Sequence, residues 1–327
     1  MNLNKIAKME SVRHWLGSNI SLLAGAVWFI SIGFFANPLE AKPVVQTYPS
    51  GNGAWALTFD GANIWVADYG VGVGHVTKLR ASDGVTLGTF AVGSSPDGIT
   101  FDGVNIWVAN EDDATVTKIR GSDGSLLGTF AVGRFPYGMT FDGENVWVAN
   151  WGDATVTKIR PSDGARLGTY AVGGLPIDLV TNGADLWVLN ESSGTVSKLR
   201  TSDGALEGTF PVPDNGEDLH GLAYDGSHIY VGDTNNDRIV QLDAVSGAFL
   251  GDRQVGKTPW GITYDGTHVW VTDIASNNVA RLGAANASYG PVGNGPRGIL
   301  FDGASIWVGN DLDGTVTKIT LNPAGRP

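Results

Sequence analysis

Residues 98–120, GITFDGVNIWVANEDDATVTKIR, contain the pattern that decides the fold. Three short runs of apolar and β-branched residues are separated by the Asp102-Gly103 pair and by a polar stretch. An Asp-Gly pair between such runs is a strong hairpin signal, because glycine adopts the positive φ that tight turns need. A further turn and a fourth apolar run, Leu127 to Val132, follow. The segment therefore predicts four antiparallel strands and no helix.

The same pattern returns along the chain at intervals of 37 to 43 residues. Each copy has an Asp-Gly or Asn-Gly anchor, and a large aromatic residue stands five positions after it. The anchors are Asp60, Asp102, Asp142, Asn182, Asp225, Asp265 and Asp302, and the aromatics are Trp65, Trp107, Trp147, Trp187, Tyr230, Trp270 and Trp307. A four-stranded unit cannot bury both of its faces alone. Seven copies therefore predict an all-β, seven-bladed β-propeller with the aromatic residue packed between blades.

The two ends of the repeat region predict how the ring closes. The last copy contains only three strand-like runs, whereas residues 44–49 resemble a fourth strand without a blade. We expect this N-terminal strand to complete the last blade, which leaves no open sheet edge between the first and last copies.

Residues 1–41 differ from the repeats. Three basic side chains precede an uncharged run of 16 residues, Ile20 to Phe35. This run is shorter than the ~20 residues of a membrane span and is typical of a signal peptide. We therefore predict a signal peptide or an N-terminal membrane anchor at 1–41 and a propeller domain at 42–327. The domain is expected to be exported, whether periplasmic, secreted or at the cell surface, with residues 1–41 as its one contact with the membrane if they are retained.

Composition excludes several classes of function. The chain has no Cys, which excludes disulfides, thiolate metal sites and cysteine nucleophiles. Its formal charge of −12 argues against binding to nucleic acid, which needs a basic face. We expect a monomer whose partner is a small molecule, a glycan or a protein.

Two positions per repeat are expected on the same face of the ring, because they begin the first strand and end the second. The first position varies: Trp55, Asp97, Tyr137, Ile177, His220, Trp260 and Arg297. The second, 13 residues later, is always Asn or Asp: Asp68, Asn110, Asn150, Asn190, Asp233, Asp273 and Asn310. We call these sets the variable ring and the Asn/Asp ring. Short Asn and Asp side chains commonly cap turns, so the Asn/Asp ring is interpreted as structural.

The variable ring has two interpretations. Variation at one position of a constant repeat indicates a recognition surface, and drift at a solvent-exposed position is the alternative. As a ligand site, the variable ring would use Trp55, Asp97, Tyr137, His220, Trp260 and Arg297 to bind a sugar, a peptide or a small polar molecule. As an enzyme, it would use His220 with Asp233 as a general-base pair.

Segments such as Ile106 to Asn110, followed by Thr115 to Ile119, resemble the YVTN-type 40-residue β-propeller repeat. The resemblance covers residues 44–320 and implies the propeller fold of exported or surface proteins. More distantly, the repeat is similar to the virginiamycin B lyase family of seven-bladed enzymes. That resemblance implies a His before an innermost strand, which His220 matches. It also implies a Glu just after a second strand, where Asp233 and Asn310 are expected, and a second His where Trp260 stands.

The sequence therefore favours a non-enzymatic binding or scaffolding module that acts through the channel-mouth face. The alternative is a metal-dependent lyase or hydrolase of the virginiamycin B lyase type. The sequence assigns no cofactor and no set of metal ligands. A divalent cation is expected only if the protein is the metal-dependent lyase or hydrolase.

Overall fold

A computed structural model describes residues 43–70, 72–214, 218–283 and 286–321. These residues form seven four-stranded antiparallel sheets, which confirms the predicted seven-bladed β-propeller. The chain divides into two units, Met1–Glu40 and Ala41–Pro327, and every described strand belongs to the second. The predicted signal peptide or anchor at 1–41 lies outside the described residues. The described segments contain no helix with the length and apolar character that a membrane span requires.

Blades 1 to 4 each use four consecutive strands, numbered from the innermost to the outermost. Blade 1 contains β2 (Ala54–Phe59), β3 (Asn63–Asp68), β4 (His75–Arg80) and β5 (Thr86–Ala91). Blade 2 contains β6 (Pro96–Phe101), β7 (Asn105–Asn110), β8 (Thr115–Arg120) and β9 (Leu126–Ala131). Blade 3 contains β10 (Pro136–Phe141), β11 (Val146–Asn150), β12 (Thr155–Ile159) and β13 (Arg166–Ala171). Blade 4 contains β14 (Pro176–Thr181), β15 (Asp185–Asn190), β16 (Thr195–Arg200) and β17 (Leu206–Pro211).

Blades 5 to 7 continue the ring, and the last blade uses strands from both ends of the unit. Blade 5 contains β18 (Leu219–Tyr224), β19 (His228–Asp233), β20 (Arg238–Asp243) and β21 (Phe249–Gln254). Blade 6 contains β22 (Pro259–Tyr264), β23 (Val269–Asp273), β24 (Asn278–Arg281) and β25 (Ala287–Tyr289). Blade 7 contains β26 (Pro296–Phe301), β27 (Ser305–Asn310), β28 (Thr315–Thr320) and β1 (Val44–Pro49). Short 3-10 turns occupy Trp151–Asp153, Ile274–Ser276 and Asp311–Asp313.

The predicted closure of the ring is present. Strand β1 pairs antiparallel with β28, from Val44 opposite Thr320 to Pro49 opposite Thr315. The N-terminal strand therefore occupies the outer position of blade 7, and the backbone groups of β28 that would otherwise lie at an edge are paired.

The anchor Asp and the aromatic residue five positions later form one unit. In blade 1, Asp60 Oδ1 accepts hydrogen bonds from the backbone N–H groups of Ala62 and Asn63. Its Oδ2 accepts the indole N–H of Trp65 at 2.8 Å. Blades 2, 3, 6 and 7 repeat the indole bond at 2.6–2.8 Å, and Tyr230 donates to Asp225 in blade 5. Blade 4 has Asn182 as its anchor, and the buried Trp187 Nε1 has no hydrogen-bond partner there.

Each aromatic residue of this unit connects its blade to the next one. Trp65 is fully buried and belongs to one apolar cluster with Ile99 and Ile106 of blade 2. The ammonium of Lys78 lies 4.7 Å from the Trp65 ring and donates a 2.7 Å hydrogen bond to the Gly121 carbonyl of blade 2. The bond compensates the buried ammonium, and the ring contact adds cation–π attraction. The turn, the sheet and the inter-blade contact are therefore fixed together.

The unit can be tested by a double-mutant cycle at Asp142 and Trp147. Asn at position 142 would keep the caps on the backbone N–H groups but would present an amide donor to the indole donor. We expect Asp142→Asn to lower the free energy of unfolding by about 1–3 kcal/mol, most of it coupled to Trp147→Phe. Urea denaturation of the four proteins of the cycle measures this coupling.

Blade 4 supplies the matched control for that cycle. Trp187 has no acceptor to lose, so Trp187→Phe should destabilise the protein less than Trp147→Phe. Equal losses for the two substitutions, together with zero coupling in the cycle, would show that the indole bond does not contribute to stability.

Candidate ligand-binding site

A cavity of about 220 Å³ lies where the innermost strands converge, and all seven members of the variable ring line it. In every blade, the pairing between the first and second strands shifts register near this position, as between Pro96 and Ile99 of blade 2. Such bulges redirect a side chain away from regular alternation. The structure therefore gathers the sequence-predicted ligand residues around one cavity, and their role in binding stays a prediction.

The loop before each innermost strand has the same unusual backbone in all seven blades. The residue two positions before the variable ring has a φ between 51° and 75°. Two of these residues are Gly, and the others are Ser95, Phe135, Leu175, Asp218 and Thr258. The left-handed region costs a non-glycine residue roughly 1–2 kcal/mol, most of all a β-branched one such as Thr258. Local backbone strain of this kind is common at functional sites.

A third set of residues, which we call the rim, was missed by the sequence analysis. Each rim residue directly follows the Asn/Asp ring, and its N–H donates to the carbonyl of the left-handed residue of its own blade at 2.7–3.2 Å. The rim residues are Tyr69, Glu111, Trp151, Glu191, Thr234, Ile274 and Asp311. Their variation beside an almost constant neighbour is visible in the sequence and was the signal that could have identified them.

The Asn/Asp ring is structural, as interpreted from the sequence. Asn110 is fully buried, and its amide donates to the hydroxyl groups of Thr115 and Thr117 on the third strand. Its Oδ1 accepts the N–H of Gly93 from the loop that enters the blade. Asn150 and Asn310 make the equivalent bonds in blades 3 and 7. This ring ties three segments of each blade together below the mouth.

Blades 1 and 6 have buried carboxyl groups at this position. Asp68 accepts a hydrogen bond from Thr77 through one oxygen, and its other oxygen has no partner. Neither oxygen of Asp273 has a partner that meets hydrogen-bond geometry. Burial raises the pKa of both carboxyl groups to about 7.

These pKa values predict a pH-dependent stability. An unfolded Asp titrates near 3.9, so the folded state binds more protons between about pH 4 and pH 7, and the free energy of unfolding falls as the pH rises through that window. Asp68→Asn removes this penalty. We expect it to stabilise the protein at pH 8 by on the order of a few kcal/mol and to have little effect near pH 4.

Thermal denaturation at several pH values measures the difference between Asp68→Asn and the parent. Asn110→Asp is the matched control, since it places a carboxyl group in an amide site and should steepen the loss of stability with pH. A difference between parent and Asp68→Asn that does not change from pH 4 to pH 8 would contradict the prediction.

One side of the cavity is aromatic and cationic. The Arg297 guanidinium lies 4.1 Å from the Trp55 ring and 4.3 Å from the Trp260 ring. Its Nε donates to Asp311 at 3.0 Å, whereas its buried Nη1 has no partner. The Trp260 ring also stacks on His220: the two rings are parallel within 15°, with centroids 3.4 Å apart.

The adjacent side of the cavity, next to Trp55, is acidic. Asp97 is 1% exposed, and its Oδ2 has no hydrogen-bond partner. Burial and the neighbouring Glu111 raise the pKa of Asp97 well above its usual range. Burial also raises the pKa of Glu111, and burial together with the Asp97 charge raises that of Tyr137. The cavity therefore presents one cationic group to several acidic ones.

The predicted pair of His220 and Asp233 is not formed. His220 Nε2 lies 3.1 Å from Asp218, the left-handed residue of its own loop. Asp233 is fully buried and pairs with Arg238 at 2.8 Å. Asp233 was expected at the mouth, but its side chain occupies the buried position that Asn110 holds in blade 2 and bonds to Arg238 of the third strand. Burial lowers the pKa of His220 to about 4, so its imidazole is neutral at pH 7.

Three side chains at the mouth have the ligand atoms of a metal site. Glu191 of the rim, Asp218 and His220 each offer one ligand atom, and these atoms lie within 4.8 Å of one another. Carboxylate oxygens and a neutral imidazole suit a divalent cation. This is the one such cluster among the described residues. It was not predicted from the sequence, because Glu191 and Asp218 belong to neither the variable ring nor the Asn/Asp ring.

Solved structures with the same fold are numerous. A virginiamycin B lyase from Staphylococcus aureus aligns with a TM-score of 0.74 and 18% identity over 86% of this chain and 100% of that chain. A streptogramin B lyase aligns with a TM-score of 0.74 and 16% identity, over 86% and 99%. Hydrazine synthase from Kuenenia stuttgartiensis aligns with a TM-score of 0.73 and 17% identity, over 83% and 96%. No protein-family model and no curated protein sequence matches the chain, so the YVTN-type resemblance stays a prediction.

The first two of these neighbours are virginiamycin B lyase-like seven-bladed propellers. At identities of 16–18%, the likeness of all three extends to the fold alone. One detail of the expected departure from the lyase family is wrong. Strands β7 and β15 end at Asn110 and Asn190, so Glu111 and Glu191 are the residues that directly follow a second strand. Trp260 still stands where the resemblance implies a second His.

Proposed function

We propose that this propeller binds a ligand in the central cavity at its mouth and has no catalytic activity. One observation carries the proposal: the side chains that differ from blade to blade all line one cavity, whereas the residues just below them repeat. A site built from unequal side chains on a symmetric framework can match an asymmetric ligand. The aromatic side supplies apolar surface, and the acidic side supplies directional hydrogen bonds.

The conformational cost at the mouth supports the proposal. Five non-glycine residues adopt the left-handed region there, and two buried polar atoms that line the cavity lack partners. A framework under selection for stability alone would replace such residues with glycine or with apolar side chains. Their presence at one end of the ring is typical of a functional site.

The binding proposal predicts the effect of Trp260→Ala. This change removes the ring that contacts both Arg297 and His220, so we expect at least about tenfold weaker binding, which corresponds to ~1.4 kcal/mol. Ligands are first identified by a thermal-shift screen of sugars, amino acids and short peptides, and affinities are then measured by titration calorimetry.

The control for Trp260→Ala is Leu127→Ala, which truncates an exposed side chain on the outer strand of blade 2. It should leave affinity unchanged. Ligands that bind Trp260→Ala as tightly as the parent would place binding outside the cavity and contradict the proposal.

A metal-dependent lyase is the second candidate, favoured by the cluster of Glu191, Asp218 and His220. We expect Mn²⁺ to bind the parent and to bind Asp218→Asn at least about tenfold more weakly, because one anionic ligand is lost. Asp112→Asn, an acidic residue of the mouth outside the cluster, is the control. Titration calorimetry measures the affinities, and mass spectrometry of virginiamycin B incubated with protein and Mn²⁺ detects cleavage.

The outcome of this test separates the two candidates. Metal-dependent cleavage that is lost in His220→Ala would replace the binding proposal with an enzymatic one. Absence of Mn²⁺ binding and of cleavage would remove the lyase candidate.

Export belongs to the proposal as well. We infer that residues 1–41 direct the chain out of the cytoplasm as a signal peptide or anchor and that the propeller acts there as a monomer. Determination of the N-terminal residue of the protein recovered from its native cell fraction distinguishes cleavage after Ala41 from retention of the segment.

A further inference from the structure

The proposed ligand site contains two buried polar atoms without hydrogen-bond partners. They belong to the two blades on either side of blade 1, which contributes Trp55. The atoms are Nη1 of Arg297 in blade 7 and Oδ2 of Asp97 in blade 2. Both side chains line the cavity. A buried donor and a buried acceptor that remain unpaired are unfavourable and uncommon in folded proteins. A ligand that pairs with both would remove that penalty.

Trp55, in blade 1, occupies the position between these two groups. Its ring contacts the guanidinium at 4.1 Å. A hydrogen bond from its side chain to Asp97 partly offsets the rise in the pKa of that carboxyl group. Trp55 is half-buried and also packs on Tyr69 of its own blade, with ring centroids 4.8 Å apart. A ligand that reaches Arg297 and Asp97 together must displace the Trp55 ring, while the Trp260 ring, 4.3 Å from the guanidinium, keeps its contact with it.

The surrounding charges limit which ligands fit. Asp311 binds Arg297 through Nε and orients the guanidinium, and Nη1 is a buried donor without a partner. Glu111 and Asp112 lie on the Asp97 side, where their charges raise the pKa values of neighbouring groups. A ligand with one anionic group is therefore attracted to Arg297, whereas a second anionic group on the same ligand would be repelled by the nearby carboxylates. The cavity volume of about 220 Å³ limits the ligand to a small metabolite.

We propose that the cavity binds a small hydroxy-monocarboxylic acid, with its carboxylate on Arg297 Nη1, its hydroxyl group on Asp97 Oδ2 and the Trp55 ring displaced. This inference rests on the proposed binding function and specifies the ligand class. A hydroxyl group suits Asp97 better than an ammonium group does. Burial raises the pKa of Asp97 and so favours its neutral form, and a neutral carboxyl group can both donate to a hydroxyl and accept from it.

The experiment is titration calorimetry of the full propeller with matched probes, accompanied by tryptophan fluorescence. D-Gluconate has one acid and several hydroxyl groups, sorbitol lacks the acid, and D-glucarate has a second acid. We expect gluconate to bind at least about tenfold more tightly than sorbitol and glucarate, the loss expected when one charged hydrogen bond is missing or one like-charge contact is added. Lactate should likewise bind more tightly than propionate, which lacks the hydroxyl group.

Variants of this chain locate the binding groups. Arg297→Gln should weaken gluconate at least about tenfold and leave sorbitol unchanged, and Arg297→Lys should recover part of the affinity if the charge is what binds. Asp97→Asn keeps a neutral hydrogen-bonding group and should bind within about threefold of the parent, whereas Asp97→Leu should not. Trp55→Phe should abolish most of the change in fluorescence on binding. Melting temperatures establish that each variant is folded.

The outcomes separate this inference from the function on which it rests. Failure of gluconate and lactate to bind, or equal binding to parent and Arg297→Gln, overturns the ligand class. Binding of sorbitol, an amino acid or a peptide that is lost in Trp260→Ala but not in Arg297→Gln also overturns the ligand class and leaves the binding function in place.

Discussion

The circle of seven blades depends on the hydrogen bond between each anchor Asp and the aromatic residue five positions later. The Asp caps its own hairpin turn and accepts the indole N–H, so the orientation of the Trp ring is fixed by the turn that precedes its strand. The Trp side chain is then buried against the next blade. One side-chain contact thereby sets the turn, the strand register and the position of the neighbouring blade. Its repetition at a nearly constant interval is what allows the sheets to close into a circle without disulfide bonds.

This arrangement places most of the apolar stabilisation in the interfaces between blades and leaves the upper ends of the innermost strands free to vary. The bulge in each innermost strand separates the variable residue from the regular pairing, and the bond from the rim N–H to the left-handed residue holds the loop. The Asn/Asp ring below supports both segments. A rigid scaffold that positions a few variable side chains is the usual design of a recognition site.

The sequence predicted the parts of the structure that have a local chemical cause. Asp-Gly turns, alternating strands and the fixed Trp spacing were enough for the seven blades and for the closing strand. The bulges and the left-handed loops were not predictable, because Phe135 and Leu175 carry no local preference for positive φ. The partner of His220 was missed because its position depends on the folded loop. The turn at Asp218 brings that carboxylate to the imidazole, whereas the charged Arg238 on the third strand holds Asp233 away from it.

In blades 1, 2, 4 and 6, the residue of the Asn/Asp ring follows the charges above it, whereas blade 3 has Asn150 below the uncharged Tyr137 and Trp151. Blades 2 and 4, which contribute Asp97, Glu111 and Glu191 to the acidic side, have neutral Asn at this position. Blades 1 and 6, which contribute Trp55 and Trp260 beside Arg297, have Asp. Like charges within a low-dielectric interior repel strongly, so an amide below the acidic side avoids a second buried carboxylate in the same blade. Blade 5 combines a neutral His220 above with an Asp233 neutralised by Arg238. In these blades, the electrostatic asymmetry of the mouth therefore extends into the Asn/Asp ring beneath it, whose residues are of one chemical type but differ in charge.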